Sequence, residues 1–244
     1  MDRPANWGAR IKVWPTERLY VSTGVYHNNP DGGERSKAWD FSLDHKGNFI
    51  PLELGWVTGE KDGLDGLYAV GAYHNTAQTP DVRTDVYGSS AGLTGDPFLL
   101  HNGRAEGYVM AHQRLTREIP GSERGLTVGG IAGIGDHATA RFRKFFIVGF
   151  VYQGIGKRNG DFVSFIASGA RTNPRLTRYQ RDRNLFAPGS TIVQTSENIL
   201  ELDYGVRLAP WLLLRSNLQY IMHPGGNNDS PDVLVVGLST STSF

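Results

Sequence analysis

The connections between short alternating segments are sorted by length, and that sorting constrains the fold more than any motif does. Apolar and polar residues alternate in about eleven stretches of roughly eight to eleven residues, the length a tilted strand needs to cross a bilayer. The first is "ARIKVW" and the last "VLVVGLSTSTSF". Counted from "PTE", the odd-numbered connections are turns ("PTE", "TGEKDGLDG", "IPGSERG", "IGKRNG", "AP"). The even-numbered ones are longer, and only "GDHATARFR" is brief for its class. In an antiparallel up-and-down barrel, odd and even connections leave at opposite ends, so the parity predicts one such barrel over residues 1–244, with a short-turn end and a long-loop end. A soluble sandwich gives no reason for loops to sort this way.

Alternation also assigns the faces. In a membrane-spanning barrel the outward row is apolar, because a Lys or Arg at mid-depth on the lipid face costs ~2–4 kcal/mol. Arg10 and Lys12 then turn inward opposite Ala9, Ile11 and Val13, and Glu53 turns inward between Leu52 and Leu54. On "NILELDYGVRL", Leu200, Leu202, Tyr204, Val206 and Leu208 face lipid while Glu201, Asp203 and Arg207 face the interior. On "WLLLRSNLQY", Leu212, Leu214, Leu218 and Tyr220 face out and Arg215, Asn217 and Gln219 face in. Charges of both signs suit a wet lumen; in a dry core each would need a partner. Trp14, Tyr26, Trp56, Tyr73 and Trp211 fall at expected strand ends, where interfacial aromatic girdles form. A soluble sheet with one solvated face gives the same alternation but leaves the girdle and the terminal Phe244 unexplained. "LYAVGAYH", "KFFIVGFVY" and "DFVSFIASG" are apolar or small on both faces and stay unassigned.

Composition narrows the function. The 25 Lys plus Arg nearly balance the 24 Asp plus Glu, so no broad basic field is present to attract nucleic acid. With no cysteine there is neither a disulfide framework nor a thiolate metal site. No stretch approaches the ~18 apolar residues of a spanning helix, which does not bear on a β-barrel. The start "MDRPANWG" lacks the pattern of a secretory signal. The histidines (His27, His45, His74, His101, His112, His137, His223) are scattered, mostly in expected loops and strand ends, and read as surface residues rather than a zinc site. "GGIAGIG" has neither GxGxxG spacing nor a following helix, and "GSS" and "GST" lack the GxSxG elbow. "DHKGN" and "NNDSPD" read as turns rather than calcium loops. No enzyme, cofactor or metal is expected.

Two hairpins, "IKVWPTERL" and "VRLAPWLLL", superpose without gaps, and each continues to a Pro-Gly loop. Together with "GNFIPLELGWVTGEKDGLDGLYAVGAYHNT" and "ENILELDYGVRLAPWLLLRSNLQYIMHPGG", they resemble the carboxy-terminal part of the carbohydrate-selective porins of the OprB type. The resemblance implies a water-filled barrel in a Gram-negative outer membrane that passes small sugars. It also implies outer-membrane lipid as surroundings and a final strand, ending at Phe244, that engages barrel-assembly machinery. The constriction residues it implies are the inward charges Arg10, Lys12, Glu53, Glu201, Asp203, Arg207 and Arg215. Family members are longer and such barrels have even strand counts, so amino-terminal strands of the pattern are expected to be missing. Three other readings stand beside this one: a channel selecting anions or organic acids, a soluble β-sandwich that binds carbohydrate, and a barrel enzyme.

Overall fold

The computed structural model describes residues 8–27, 47–59, 64–118, 121–156 and 158–243. Phe244, and with it the expected assembly signal, lies outside the described residues, as do His45 and most of the segment between the second and third strands. Eleven strands follow in order: β1 (Gly8–Val13), β2 (Leu19–His27), β3 (Asn48–Thr58), β4 (Gly66–Asp85), β5 (Phe98–Arg114), β6 (Gly125–Ile134), β7 (Phe142–Ile155), β8 (Arg158–Thr172), β9 (Ser196–Ala209), β10 (Leu212–Met222) and β11 (Val233–Thr242). Each is antiparallel to its sequence neighbours, in the spatial order β1 to β11. Among the described residues β1 pairs only with β2 and β11 only with β10, so the sheet is open rather than closed.

The period-2 pattern decides which row each face carries. The outward row holds large apolar side chains in the open: Ile11 is 65% exposed, Leu52 56%, Leu202 45% and Val236 77%. The opposite row is sheltered although no second layer covers it, with Tyr20 at 3% and Asp203 at 2%. A single sheet shelters one face by curling, which makes this the concave side. Register gives the strands unassigned from sequence a definite orientation. Tyr108↔Gly133↔Phe145↔Ala170 continue the inner row, and Phe146↔Gly169 the outer.

The ends differ as the parity requires, with three departures. The polar stretch 75–106 is not a loop. Most of it is the upper half of β4, at 20 residues, and β5, at 17 residues, both far longer than the ~9–11 residues that span a bilayer. This hairpin stands proud of the sheet, since β4 pairs with β3 only up to Asn75 and β5 with β6 only from Gly107, and its sequence carries no alternating apolar row. Next, "IGKRNG" is mostly strand, since Ile155 pairs with Arg158 across a tight turn.

The third departure is helical. α1 (Ala91–Thr94) tips the β4–β5 hairpin, and α2 (Pro174–Phe186) fills the β8–β9 connection. The start of α2 was written in the sequence: Asn173 accepts a hydrogen bond from the Arg175 amide and Pro174 occupies the first turn. Asn173 is fully buried, and its Nδ2 donates to the carbonyls of Ala140 (2.8 Å) and His137 (2.9 Å), tying α2 to the β6–β7 connection.

α2 then packs on α1, where a Cβ on Gly92 would fall 2.7 Å from the Tyr179 carbonyl oxygen. Asp182 fastens the contact by accepting from Ser90 Oγ (2.6 Å) and Arg83 Nη2 (3.0 Å). Burial alone would raise the Asp182 carboxyl. Hydrogen bonds from Ser90 and Arg83, with the charges of Arg83 and Arg178, outweigh burial and hold it below the ordinary carboxylate range. A carboxyl depressed in the folded state contributes stability fully present above its unfolded value, ~3.9, and lost as pH falls through the lower folded value. Hydrogen exchange of residues 174–186, corrected for its intrinsic pH dependence, is therefore expected to stay flat from pH 8 to 5 and rise only below about pH 4. An onset near pH 6 to 7 would contradict this coupling.

Candidate channel lining

The concave face carries two polar clusters separated by an apolar strip. The first is centred on Glu53 of β3. Tyr20 of β2 donates to its Oε1 at 2.8 Å, and Tyr108 of β5 donates to its Oε2, reaching over Gly71 of β4. Small residues make this possible: a Cβ on Gly55 would fall 2.1 Å from the Tyr20 ring, and one on Gly71 2.4 Å from the ring of Tyr108. Lys12 lies over the Tyr20 ring, 3.6 Å from its centroid, and Trp14 meets the same ring at 5.2 Å with the planes tilted by 58°. Arg10 shares their row, opposite Gly24. Toward the long-loop end the row continues as Tyr26, Phe49 and Tyr73. The Phe49 and Tyr73 rings lie 4.7 Å apart, Glu106 stands opposite Tyr73 across the β4–β5 pair, and Arg104 Nε sits 3.7 Å from Glu106.

The second cluster spans β8 to β10. Asp203 accepts from Ser164 Oγ (3.1 Å) and Asn217 Nδ2 (2.9 Å), with Arg215 Nε at 3.7 Å. Glu201 accepts from the same Asn217 nitrogen (2.8 Å) and from Gln219 Nε2 (2.9 Å). Both carboxylates are thus held mainly by neutral donors, which fix their positions and leave lone pairs for a passing hydroxyl. Arg207 stands apart from this group. It lies over Gly160 and donates to the Pro210 carbonyl at 3.2 Å, at the short-turn rim. Between the clusters, Ile131, Ile147, Val151 and Ile166 face inward.

All nine residues read as inward from the sequence lie on this face. The structure gathers Lys12 and Glu53 around Tyr20, and Glu201, Asp203, Arg215, Asn217 and Gln219 into one network. Sequence reasoning missed Tyr20, Tyr108, Ser164, Arg104 and Glu106. Tyr20 was within reach, since it alternates with Leu19 and Val21; Arg104 and Glu106 were hidden in a segment read as loop. Three girdle assignments are corrected: Trp14 turns onto the inward Tyr20 ring, Tyr26 shares the inward row of Tyr20 on β2, and Tyr73 turns inward on β4, which runs well past the strand end expected there. His27, His74, His101 and His112 lie within strands, and His101 Nε2 pairs with Asp81 at 2.9 Å.

Comparison with known proteins points one way. The profile of the carbohydrate-selective porin, OprB family, matches residues 2–244. Porin B of Pseudomonas aeruginosa is 32% identical over 98% of this chain and 55% of its own length. QuiX of Acinetobacter baylyi is 29% identical over 98% of this chain and 55% of its own. A solved high-pH structure of Pseudomonas putida OprB superposes with a TM-score of 0.91 at 31% identity, covering 98% of this chain and 59% of that one. The chain therefore spans a little over half the length of these relatives.

Proposed function

This chain belongs to the carbohydrate-selective porin, OprB family, and from that premise we propose that it forms part of the wall of a water-filled barrel through which small neutral sugars diffuse across a Gram-negative outer membrane. The observation that carries the reading is the second cluster. Glu201 and Asp203 are fixed by Asn217, Gln219 and Ser164 on the concave face, while Leu200, Leu202 and Leu218 stand exposed on the convex one. Carboxylates positioned by neutral amides offer acceptors, and Arg215, Arg10 and Lys12 offer donors. Together they match sugar hydroxyls, each of which donates and accepts. Such contacts are weak and numerous enough to let a solute enter and leave, as conduction requires.

Liposome swelling tests the proposal. Vesicles carrying the folded protein are expected to swell in glucose and arabinose. Replacing Glu201 and Asp203 together by Leu is expected to slow sugar entry several-fold. No swelling with any neutral sugar would overturn the carbohydrate reading. Faster entry of gluconate than of glucose would move the selectivity to anions.

A further inference from the structure

Part of the concave face is aromatic where a wet wall has no need of it. Toward the long-loop end Tyr26 of β2, Phe49 of β3 and Tyr73 of β4 meet in sequence. Their ring centroids lie 6.2 Å apart at the first contact and 4.7 Å at the second, with the planes tilted by 56° and 41°. Pro51 stands opposite Tyr73 and extends the same apolar surface. The backbone makes room for it: a Cβ on Gly8 would fall 2.3 Å from the Tyr26 ring, and one on Gly24 3.0 Å from it.

Polar groups follow at once. Across the strands Asn75 faces Phe49, Arg104 faces Asn75, and Glu106 faces Tyr73. Arg104 Nε stands 3.7 Å from Glu106, beyond hydrogen-bond reach, and makes no hydrogen bond among the described residues. The Arg104 side chain is 35% exposed, so its guanidinium keeps donors for a solute. Glu53 differs, because Tyr20 and Tyr108 each occupy one of its carboxylate oxygens.

Rings on a wet face, with no second layer over them, leave apolar surface against water. An inorganic ion gains nothing from that surface. A pyranose does: its hydroxyls project around the rim, while its ring C–H groups form flat apolar faces. Oxygen on each carbon makes those hydrogens slightly positive, and an aromatic face is negative. A linear polyol offers hydroxyls but no rigid face.

We infer that Tyr26, Phe49 and Tyr73 form a stacking subsite for the C–H face of a pyranose, with Arg104 and Glu106 meeting its hydroxyls. The inference rests on the reading of this face as a path for sugars, and it makes that path prefer ring sugars to linear polyols.

Saturation-transfer NMR on the chain folded in deuterated detergent tests it. Aromatic protons are saturated in the presence of methyl β-glucopyranoside and sorbitol at equal concentration. Transfer to the glycoside is expected to be about fivefold the stronger, and to favour the ring protons of one face over those of the other. Phe49→Leu/Tyr73→Leu is expected to lose most of that difference. Phe49→Tyr, which keeps the ring, is expected to retain it, as is Phe150→Leu, in the outward row beside Phe165. Equal transfer to the two solutes, or an undiminished difference in the double leucine variant, would overturn the subsite. Loss of the difference in Phe150→Leu would put the contact on the other face and overturn it too. Liposome swelling reports the underlying reading separately: vesicles that swell in glucose while transfer shows no difference refute this subsite alone, and vesicles that swell in no neutral sugar refute both.

Discussion

Leu202→Arg is expected to cripple insertion into lipid bilayers. Leu202 sits near the middle of β9, outward, 45% exposed, between Phe165 of β8 and Leu218 of β10. A guanidinium at mid-depth on that surface costs ~2–4 kcal/mol, or roughly 30- to 700-fold in the folding equilibrium. The neighbouring substitution Glu201→Gln, one residue along and on the other face, is expected to leave folding within a few-fold of the parent. Urea titration of both variants in lipid vesicles measures the difference. Equal effects would mean that the two rows do not face different solvents.

Arg175→Gln is expected to free α2. Asp81 is 3% exposed, and both its carboxylate oxygens lie 2.7 Å from Arg175 Nη2, which also donates to Thr84 Oγ1 at 2.8 Å. Losing one partner of a buried pair costs ~3–5 kcal/mol because the other charge is stranded. Here the lower end applies, since Asp81 keeps His101 and the amides of Arg83 and Thr84. The loss is local. Amide exchange across residues 174–186 is expected to accelerate about a hundredfold while β9 and β10 stay protected. Adding Asp81→Asn should restore much of the protection, because a neutral amide no longer demands a cation. Unchanged exchange in Arg175→Gln would show that the Asn173 cap and the Asp182 contacts hold α2 without the pair.

What could be read from the sequence follows where the solvent boundary runs. On β9 and β10 the convex row is apolar and the concave row polar, so Leu200, Leu202 and Leu218 alternate cleanly with Glu201, Asp203 and Asn217, and the facing of each side chain followed directly. On β6 and β7 both faces are apolar or small. "KFFIVGFVY" therefore carried no orientation until pairing with Gly133 and Gly169 supplied it. Past the end of the apolar row the constraint vanishes. The upper part of β4 and β5 is ordinary polar strand, and without alternation it passed for loop, which misplaced Tyr73 and concealed Arg104 and Glu106. α2 lacks a broad apolar stripe because it packs through Asn173, Thr177, Gln180 and Asp182, so helical periodicity was the wrong signal and the Asn-Pro start the right one. The tyrosines that hold Glu53 were harder to find, because the contact depends on Gly55 and Gly71 on adjacent strands, a relation that exists only once the strands are paired.

The absence of native cysteine makes the central claim directly measurable. Single cysteines at Leu200, Glu201, Leu202, Asn217, Leu218 and Gln219, in protein folded into vesicles, can be treated with a charged, membrane-impermeant thiol reagent. The account predicts strict alternation: Glu201→Cys, Asn217→Cys and Gln219→Cys react, while Leu200→Cys, Leu202→Cys and Leu218→Cys do not. Uniform labelling along β9 and β10, or labelling of the leucine positions in preference to the polar ones, would contradict it.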